Sequence, residues 1–242
     1  AHTAQASLKL SVIWRRCIQQ PTVSTWLVGT FDMSKVECIW VTPKAEDLLA
    51  YMAKVSNPTM QGEGDYAKLI SYLMRNSHWS PFEMVHMCVE INTTRDIARQ
   101  ILRHRSFSFQ EFSQRYADVT LLGGMETREC RLQDHKNRQS SLSTDDAELV
   151  GWWEEAQKAH IAGTTELYKQ ALAKGIAKEQ ARVVLPEGNT ASRMYMAGSL
   201  RSWLHYTQLR NGNGTQKEHQ EISKGISSLI QENFPATYAA SN

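Results

Sequence analysis

Long apolar runs are missing from this sequence of 242 residues. None approaches the ~20 residues that a helix needs to span a bilayer. The stretch LSVIWRRCIQQ, residues 10–20, has two arginines where a signal peptide needs an apolar core. We therefore expect a cytoplasmic protein that has no membrane partner.

Cysteine is also scarce, and the four cysteines lie far apart: Cys17, Cys38, Cys88 and Cys130. They form no CxxC pair, which argues against a structural zinc site and against a disulfide framework. A reducing compartment fits this usage best, and we expect no metal site. Because Cys88 lies within an apolar predicted strand, where a thiol is usually inert, we do not assign it as a nucleophile.

Glycine-rich phosphate loops and a large excess of charge are absent too. There is no GxGxxG motif, the GNG at 212–214 lacks the third glycine, and no Walker loop is present. The formal net charge of +2 is too small to indicate a broad nucleic-acid-binding surface. Positive charge therefore matters only where it is locally concentrated.

The apolar pattern predicts an α+β fold, with a small antiparallel or mixed sheet and a dominant helical C-terminal half. β-Branched and aromatic residues indicate strands over 36–42 and 83–94. Residues 117–145 are predicted to be an irregular polar connection. Helical periodicity predicts helices over 44–58, 64–78, 95–105, 147–175, 177–184, 190–210 and 215–232.

The first 32 residues differ from the rest of the chain. They contain short apolar patches without a sustained period, and Met33 begins a more regular pattern. We expect residues 1–32 to be an N-terminal extension or a start-site artefact. Residues 33–242 are expected to form one domain, which agrees with the length of the chain.

Positive charge is concentrated in RHRSFSFQEFSQRY, residues 103–116. An arginine fork binds phosphate oxygens in a bidentate manner, so three arginines and a histidine suit a nucleotide or a dinucleotide cofactor. A solvated charge run on a helix face is the plainer alternative. Glu111 and Ser113 can contact a base or a ribose, and the phenylalanines are expected to form apolar walls of the site: Phe107, Phe109 and Phe112.

Three more polar residues are ambiguous from their chemistry alone. Arg182 and Arg210 lie near the ends of apolar helical segments, where a cation complements the helix dipole. For these two arginines a structural role is as well supported as a functional one. His78 follows a predicted helix, a position that favours a capping or core histidine over a catalytic one.

The basic segment is also a motif. RHR is followed by seven residues and then Ser113, and the chain continues as QRY. Four further blocks occur in the order expected: HWSPFE (78–83), RQILRHR (99–105), ARVVLP (181–186) and LRSWLHYTQLR (200–210). From about Met33 to the C terminus, the chain therefore resembles the flavin-dependent thymidylate synthases.

The resemblance implies an enzyme that makes thymidylate (dTMP) by reductive methylation of deoxyuridylate (dUMP). Methylenetetrahydrofolate supplies the carbon, and NADPH reduces a bound FAD that supplies a hydride. Members are homotetramers with active sites between subunits. They use no cysteine nucleophile on the uracil ring, which agrees with the expectation that Cys88 is not a nucleophile.

The resemblance also assigns site residues by position. Arg210 is the catalytic residue, because a fixed guanidinium stabilises negative charge that builds on N3 and O4 of uracil. His78 lies where folate approaches the flavin. The flavin contacts are Ser80, Arg103, His104, Arg105, Glu111, Ser199, Arg201 and His205. The nucleotide contacts are Gln100, Arg103, Glu111, Ser113, Arg115, Arg182 and Arg210.

Three features depart from the family pattern. Ser199 replaces the asparagine of an NxRS block, and His205 lies where asparagine is frequent. NGNGTQKEH (211–219) replaces a stretch that commonly carries a histidine just before an Ala-Gln pair. These departures leave open a flavin- and folate-dependent reaction on another pyrimidine nucleotide, such as hydroxymethylation of deoxycytidylate (dCMP).

A non-catalytic protein that binds RNA or single-stranded DNA through the basic segment is a different alternative. Its phenylalanines would stack on bases. The lack of a broader basic surface weighs against this alternative, because nucleic-acid affinity depends on many phosphate contacts. We therefore expect no nucleic-acid partner.

Overall fold

The structure is a computed structural model that describes residues 34–241. The predicted extension over residues 1–32 lies outside the described residues. The strands within this range are β1 (Val36–Val41), β2 (His86–Thr94), β3 (Ser108–Glu111), β4 (Arg131–Gln133), β5 (Ser141–Ser143) and β6 (Ala191–Ser199). The helices are α1 (Ala45–Ala53), α2 (Tyr66–Arg75), α3 (Arg95–Ile101), α4 (Ala147–Ala173), α5 (Lys178–Ala181), α6 (Leu200–Arg210), α7 (Lys217–Asn233) and α8 (Pro235–Ser241). None of these helices is long and apolar enough to cross a membrane.

Four strands form one antiparallel sheet in the order β1-β2-β6-β3. Its centre is the ladder between β2 and β6, which pairs His86 with Ser199 at one end and Thr94 with Ala191 at the other. The hairpin of β4 and β5 forms a separate two-stranded sheet. The predicted α+β class is therefore confirmed, and the main sheet is antiparallel throughout.

One face of the sheet packs against helices and the other face is polar. Met194 and Met196 of β6 are fully buried, whereas Arg193 and Tyr195, which alternate with them, are partly exposed. This alternation is typical of an antiparallel strand with a single covered face. The main core lies on the covered face, where Trp203 of α6 donates a hydrogen bond from Nε1 to the carbonyl of Met87 at 3.1 Å.

The helix predicted over 190–210 is wrong in its first half, because residues 191–199 form β6 and the helix begins only at Leu200. Alanine and methionine favour a helix by propensity, but β6 is bonded to β2 on one side and to β3 on the other. Ser199 ends the strand and caps α6, since its Oγ accepts a hydrogen bond from the backbone N–H of Ser202 at 3.3 Å.

Other boundaries also differ from the prediction. Helix α3 ends at Ile101 instead of residue 105, and part of the basic segment forms β3. The region over 117–145, predicted to be irregular, contains the β4–β5 hairpin. These strands contain only three or four residues each, which is too few for a period of two to be recognised in sequence.

Gly198 of β6 allows the basic segment to pack on the core. A Cβ atom at this position would lie 2.4 Å from Cδ1 of Phe107. Phe107 is itself buried, with its ring centroid 4.6 Å from that of Trp203. Phe107 is therefore a core residue that anchors residues 103–111, and the prediction that it forms a wall of the ligand site is wrong.

We expect Gly198→Ala to lower the free energy of unfolding by about 1–3 kcal/mol, because the added methyl group must displace a packed ring. Gly163→Ala in α4 is a matched control, since a Cβ there meets no atom within 4 Å. Alanine in a helix interior should stabilise by about 0.5–1 kcal/mol. Urea unfolding of both variants measures the two values, and a neutral Gly198→Ala would contradict the packing role.

Candidate active site

The basic segment leaves α3 in a tight turn before it enters β3. The backbone N–H of His104 donates to the carbonyl of Ile101 at 3.0 Å, and that of Phe107 donates to His104 at 3.3 Å. Arg103 and Arg105 are exposed on either side of the half-buried His104. Neither arginine takes part in a salt bridge with any residue of 34–241, so their charge is available to a ligand.

His104 and Arg210 are in direct contact although 106 residues separate them in sequence. Nε of Arg210, the last residue of α6, donates a hydrogen bond to Nε2 of His104 at 2.9 Å. Burial, the Arg210 cation and His205 together lower the pKa of His104 to about 4. The imidazole is therefore neutral at pH 7, and the proton is assigned to Nδ1 because Nε2 accepts.

A fully buried histidine, His219, connects this pair with Gln100. His219 Nε2 lies 2.9 Å from the hydroxyl of Tyr206, and His219 Nδ1 lies 3.3 Å from Oε1 of Gln100. Gln100 in turn donates from Nε2 to Oε1 of Gln216 at 2.8 Å. The ring of Tyr206 meets that of His104 edge-on, with the centroids 4.8 Å apart. These contacts connect Gln100, His104 and Arg210, and we refer to the three residues together as the nucleotide-end group.

The sequence prediction missed Tyr206, Gln216 and His219. His219 and Tyr206 are fully buried, and burial followed by the charge of Arg210 lowers the pKa of His219 to about 3. A signal was present, because His219 lies three residues before Ile222 on a stripe that continues through Ile226 and Ile230. A polar residue on the apolar stripe of a helix is buried, and it needs a partner.

Glu218, beside His219, is held by two arginines that were also missed. Arg131 donates from Nη2 to Oε1 of Glu218. Nη1 of Arg128 lies 3.6 Å from Oε2 of Glu218, and Nη2 of Arg128 lies 2.6 Å from Oδ1 of Asp96 in α3. Burial alone would raise the pKa of Glu218, but the hydrogen bond from Arg131 and the charge of Arg128 lower it. This network fixes the start of α7 against the start of α3.

A second group lies at the other end of β3, which Glu111 ends, and it also contains Ser113, Arg115 and Arg182. Glu111 accepts hydrogen bonds from Ser192 Oγ at 2.7 Å and from Arg95 Nη1 at 3.4 Å. The exposed Arg115 lies 3.5 Å from Glu179 of α5, and Arg182 follows α5 in a 3-10 turn. Ser113 Oγ accepts from the backbone N–H of Arg115 at 3.4 Å.

A third group surrounds the start of α6. Ser199 Oγ caps this helix, and Arg201 donates from Nη1 to Glu83, which ends the 3-10 turn that begins at Ser80. A cleft of about 550 Å³ opens beside them on the polar face of the sheet, and residues lining it include Trp40, His86, Ser106, Ser108, Ser199 and Ser202.

Two further predicted residues are exposed, and no side-chain hydrogen bond within residues 34–241 joins either of them to these groups. His205 lies on the outer side of α6. His78 follows α2, and its ring centroid is 6.0 Å from that of Tyr72. No hydrogen bond or ion pair within residues 34–241 joins one of the three groups to another. The same residues contain no set of three or more histidine, cysteine or acidic side chains that could hold a metal ion.

Residues 37–236 match the family model described as thymidylate synthase complementing protein. A flavin-dependent thymidylate synthase from Synechocystis sp. is 51% identical over 195 residues, which cover 81% of this chain and 88% of the relative. A relative from Paramecium bursaria Chlorella virus 1 is 48% identical over 196 residues, which cover 79% of this chain and 88% of that protein.

A solved structure is similar as well. The crystal structure of a UMP/dUMP methylase from Streptomyces cacaoi bound with 5-Br dUMP has a TM-score of 0.70 and 27% identity, and the match covers 85% of this chain and 93% of that one. The resemblance indicated by the sequence blocks is confirmed. The chain belongs to the thymidylate synthase complementing protein family, which includes the flavin-dependent thymidylate synthases.

Proposed function

We propose that this protein methylates dUMP to dTMP, with methylenetetrahydrofolate as the carbon donor and NADPH as the source of electrons for a bound FAD. The observation that carries the proposal is the contact between Arg210 and the neutral His104, beside two arginines that have no carboxylate partner in the described part of the chain. The names of the relative from Synechocystis sp. and of the methylase from Streptomyces cacaoi support the reaction class.

Arg210 has the chemistry that C5 methylation of uracil requires. C5 is a weak nucleophile until negative charge builds on N3 and O4, and a fixed guanidinium stabilises that charge. His104 occupies Nε of Arg210 and so holds the plane of the guanidinium. Both Nη groups remain for the pyrimidine, since no hydrogen bond to them is formed by residues 34–241.

The remaining groups fit the other ligands by charge. Arg103 and Arg105 are exposed and suit the pyrophosphate of FAD, and the serines of the third group, Ser80 and Ser199, supply hydroxyl donors. When bound, FAD supplies the hydride that completes the methyl group. Arg115 and Arg182 suit the nucleotide phosphate, with Glu111 and Ser113 as hydrogen-bonding neighbours, and the exposed His78 and His205 are open to the folate and the flavin.

We also propose that the site is completed between subunits of a homotetramer in the cytoplasm. Within one protomer, no hydrogen bond or ion pair among residues 34–241 joins the nucleotide-end group, the group around Glu111 and the group around Ser199. The family resemblance, which implies active sites between subunits, supports this assembly. Size-exclusion chromatography with light scattering tests the assembly, and a monomer that retains full activity would contradict it.

The reaction is tested by tritium release from C5-labelled dUMP, with dCMP and UMP in parallel and with FAD, NADPH and methylenetetrahydrofolate supplied. We expect release from dUMP with dTMP as the product. Tritium release from dCMP alone would replace this proposal with a reaction on dCMP. No tritium release from any of the three nucleotides, in protein without bound flavin, would favour the nucleic-acid-binding alternative. UMP is included because the structural relative is named a UMP/dUMP methylase.

We expect Arg210→Lys to lower kcat by about 100-fold or more, because lysine cannot both bond His104 and present a planar pair of donors. Arg99→Lys is a matched control, since Arg99 is half-exposed and pairs with Glu187 at the surface at 2.7 Å. The thermal midpoint of both variants should stay near that of the parent. Near-normal turnover by Arg210→Lys would exclude the catalytic role.

The half-buried His104 and the fully buried His219 should make stability depend on pH. The pKa is lowered from 6.5 to about 4 for His104 and to about 3 for His219. Below pH 6.5 the folded protein therefore binds fewer protons than the unfolded chain. The free energy of unfolding should therefore fall as pH falls from about 6.5 towards 4, by up to about 1.4 kcal/mol per pH unit for each histidine. Urea unfolding at pH 7.5, 6.5 and 5.5 measures the slope, which should be shallower in His219→Gln.

A further inference from the structure

The hydrogen bonds around His219 can be arranged in only one consistent direction. His219 is fully buried and neutral at pH 7, so one ring nitrogen carries a proton and the other accepts one. Tyr206 is also fully buried, and among residues 34–241 the hydrogen-bond partner of its hydroxyl is His219. Because a buried hydroxyl has to donate, Tyr206 donates to Nε2 and the proton of His219 lies on Nδ1.

This tautomer determines the orientation of the amide of Gln100. The N–H at Nδ1 of His219 needs an acceptor, and the atom 3.3 Å away is therefore the oxygen of Gln100. One hydrogen of the Gln100 amino group goes to Oε1 of Gln216 at 2.8 Å. The second hydrogen of that amino group is left for a ligand, while one of the two lone pairs of the carbonyl oxygen accepts from His219 and fixes the orientation of the amide.

We propose that His219 is a positioning residue that fixes the amide of Gln100, so that the amino group and not the carbonyl faces the bound nucleotide. This assignment rests on the proposed function, and it adds a selection rule. A fixed N–H group donates to an acceptor oxygen of the nucleotide and disfavours a second donor group at the same place. The oxygen belongs to the pyrimidine or to the phosphate, and uracil and cytosine differ in this respect because O4 is an acceptor and N4 is a donor.

The surroundings of His219 hold it in register with Gln100. Its neighbour Glu218 is bound by Arg131 and Arg128, and Arg128 also binds Asp96 at the start of α3, the helix that carries Gln100. The two helices therefore cannot slide past each other without breaking these ion pairs. A histidine on α7 can thus orient an amide on α3, although 119 residues separate them in sequence.

Two substitutions of His219 by an amide residue test its hydrogen bond to Gln100 and its hydrogen bond to Tyr206 one at a time. Asparagine places its amino group near the position of Nδ1, so His219→Asn can still donate to Gln100. Glutamine reaches the position of Nε2, so His219→Gln can still bond Tyr206 but leaves the Gln100 oxygen without its donor. His160→Gln is a control, because His160 is an exposed histidine of α4 remote from the site residues in sequence.

The measurement is the Kd for dUMP of the FAD-loaded protein by titration calorimetry, together with the thermal midpoint of each variant. We expect His219→Gln to weaken dUMP binding by about 10- to 100-fold, as loss of an oriented hydrogen bond to a buried group predicts. His219→Asn should recover most of this loss, and His160→Gln should match the parent. Equal affinity of the asparagine and glutamine variants, whether high or low, would overturn the assignment.

The same titrations with deoxyuridine and dCMP identify the oxygen. If Gln100 faces the pyrimidine, His219→Gln should lose affinity for deoxyuridine as well and should discriminate less between dUMP and dCMP. If Gln100 faces the phosphate, His219→Gln should bind dUMP and dCMP more weakly than the parent does, but should bind deoxyuridine with unchanged affinity. A parent protein that binds no dUMP would instead contradict the proposed function, which separates that failure from a failure of the role given to His219.

Discussion

The ladder between β2 and β6 determines where the candidate functional residues lie. Helix α3 leaves the Thr94 end of this ladder, and α6 leaves the opposite end at Ser199. The two helices start far apart, yet their C-terminal ends meet where Arg210 contacts His104. Trp203 ties α6 to the backbone of β2, so the position of Arg210 follows from strand pairing and from one buried indole.

The first half of the fold is easier to predict from sequence than the second half. β2 alternates apolar and polar residues over nine positions, and such a period is recognisable without any knowledge of its partners. β6 has the same length and alternates in burial, but its residue types do not alternate between apolar and polar, and its alanine, methionine and glycine residues have little strand propensity. Its conformation is decided by hydrogen bonds to β2 and β3, which are far away in the chain.

The residues of the candidate site also differ in how well the sequence predicts them. Exposed arginines such as Arg103 and Arg105 belong to a compact motif, so they can be found in the sequence. Tyr206 and His219 cannot be found in this way, because each matters through a partner on another helix. Phe107 shows the opposite error, since an aromatic residue inside a charged segment suggests a ligand wall, whereas Gly198 opposite it makes room for core packing.

Charge balance distinguishes Arg210 from several arginines that hold the fold. Arg128, Arg131 and Arg193 each lie within 4 Å of a carboxylate, which offsets the cost of partly burying a cation. Arg210 is partly buried too, but the partner that the described residues give it is a neutral imidazole. Protonation of His104 or His219 would add like charge beside it, so burial and Arg210 both keep these rings neutral. The region therefore carries positive charge that an anionic ligand can neutralise, and ligand binding should stabilise the folded protein as well as prepare it for reaction.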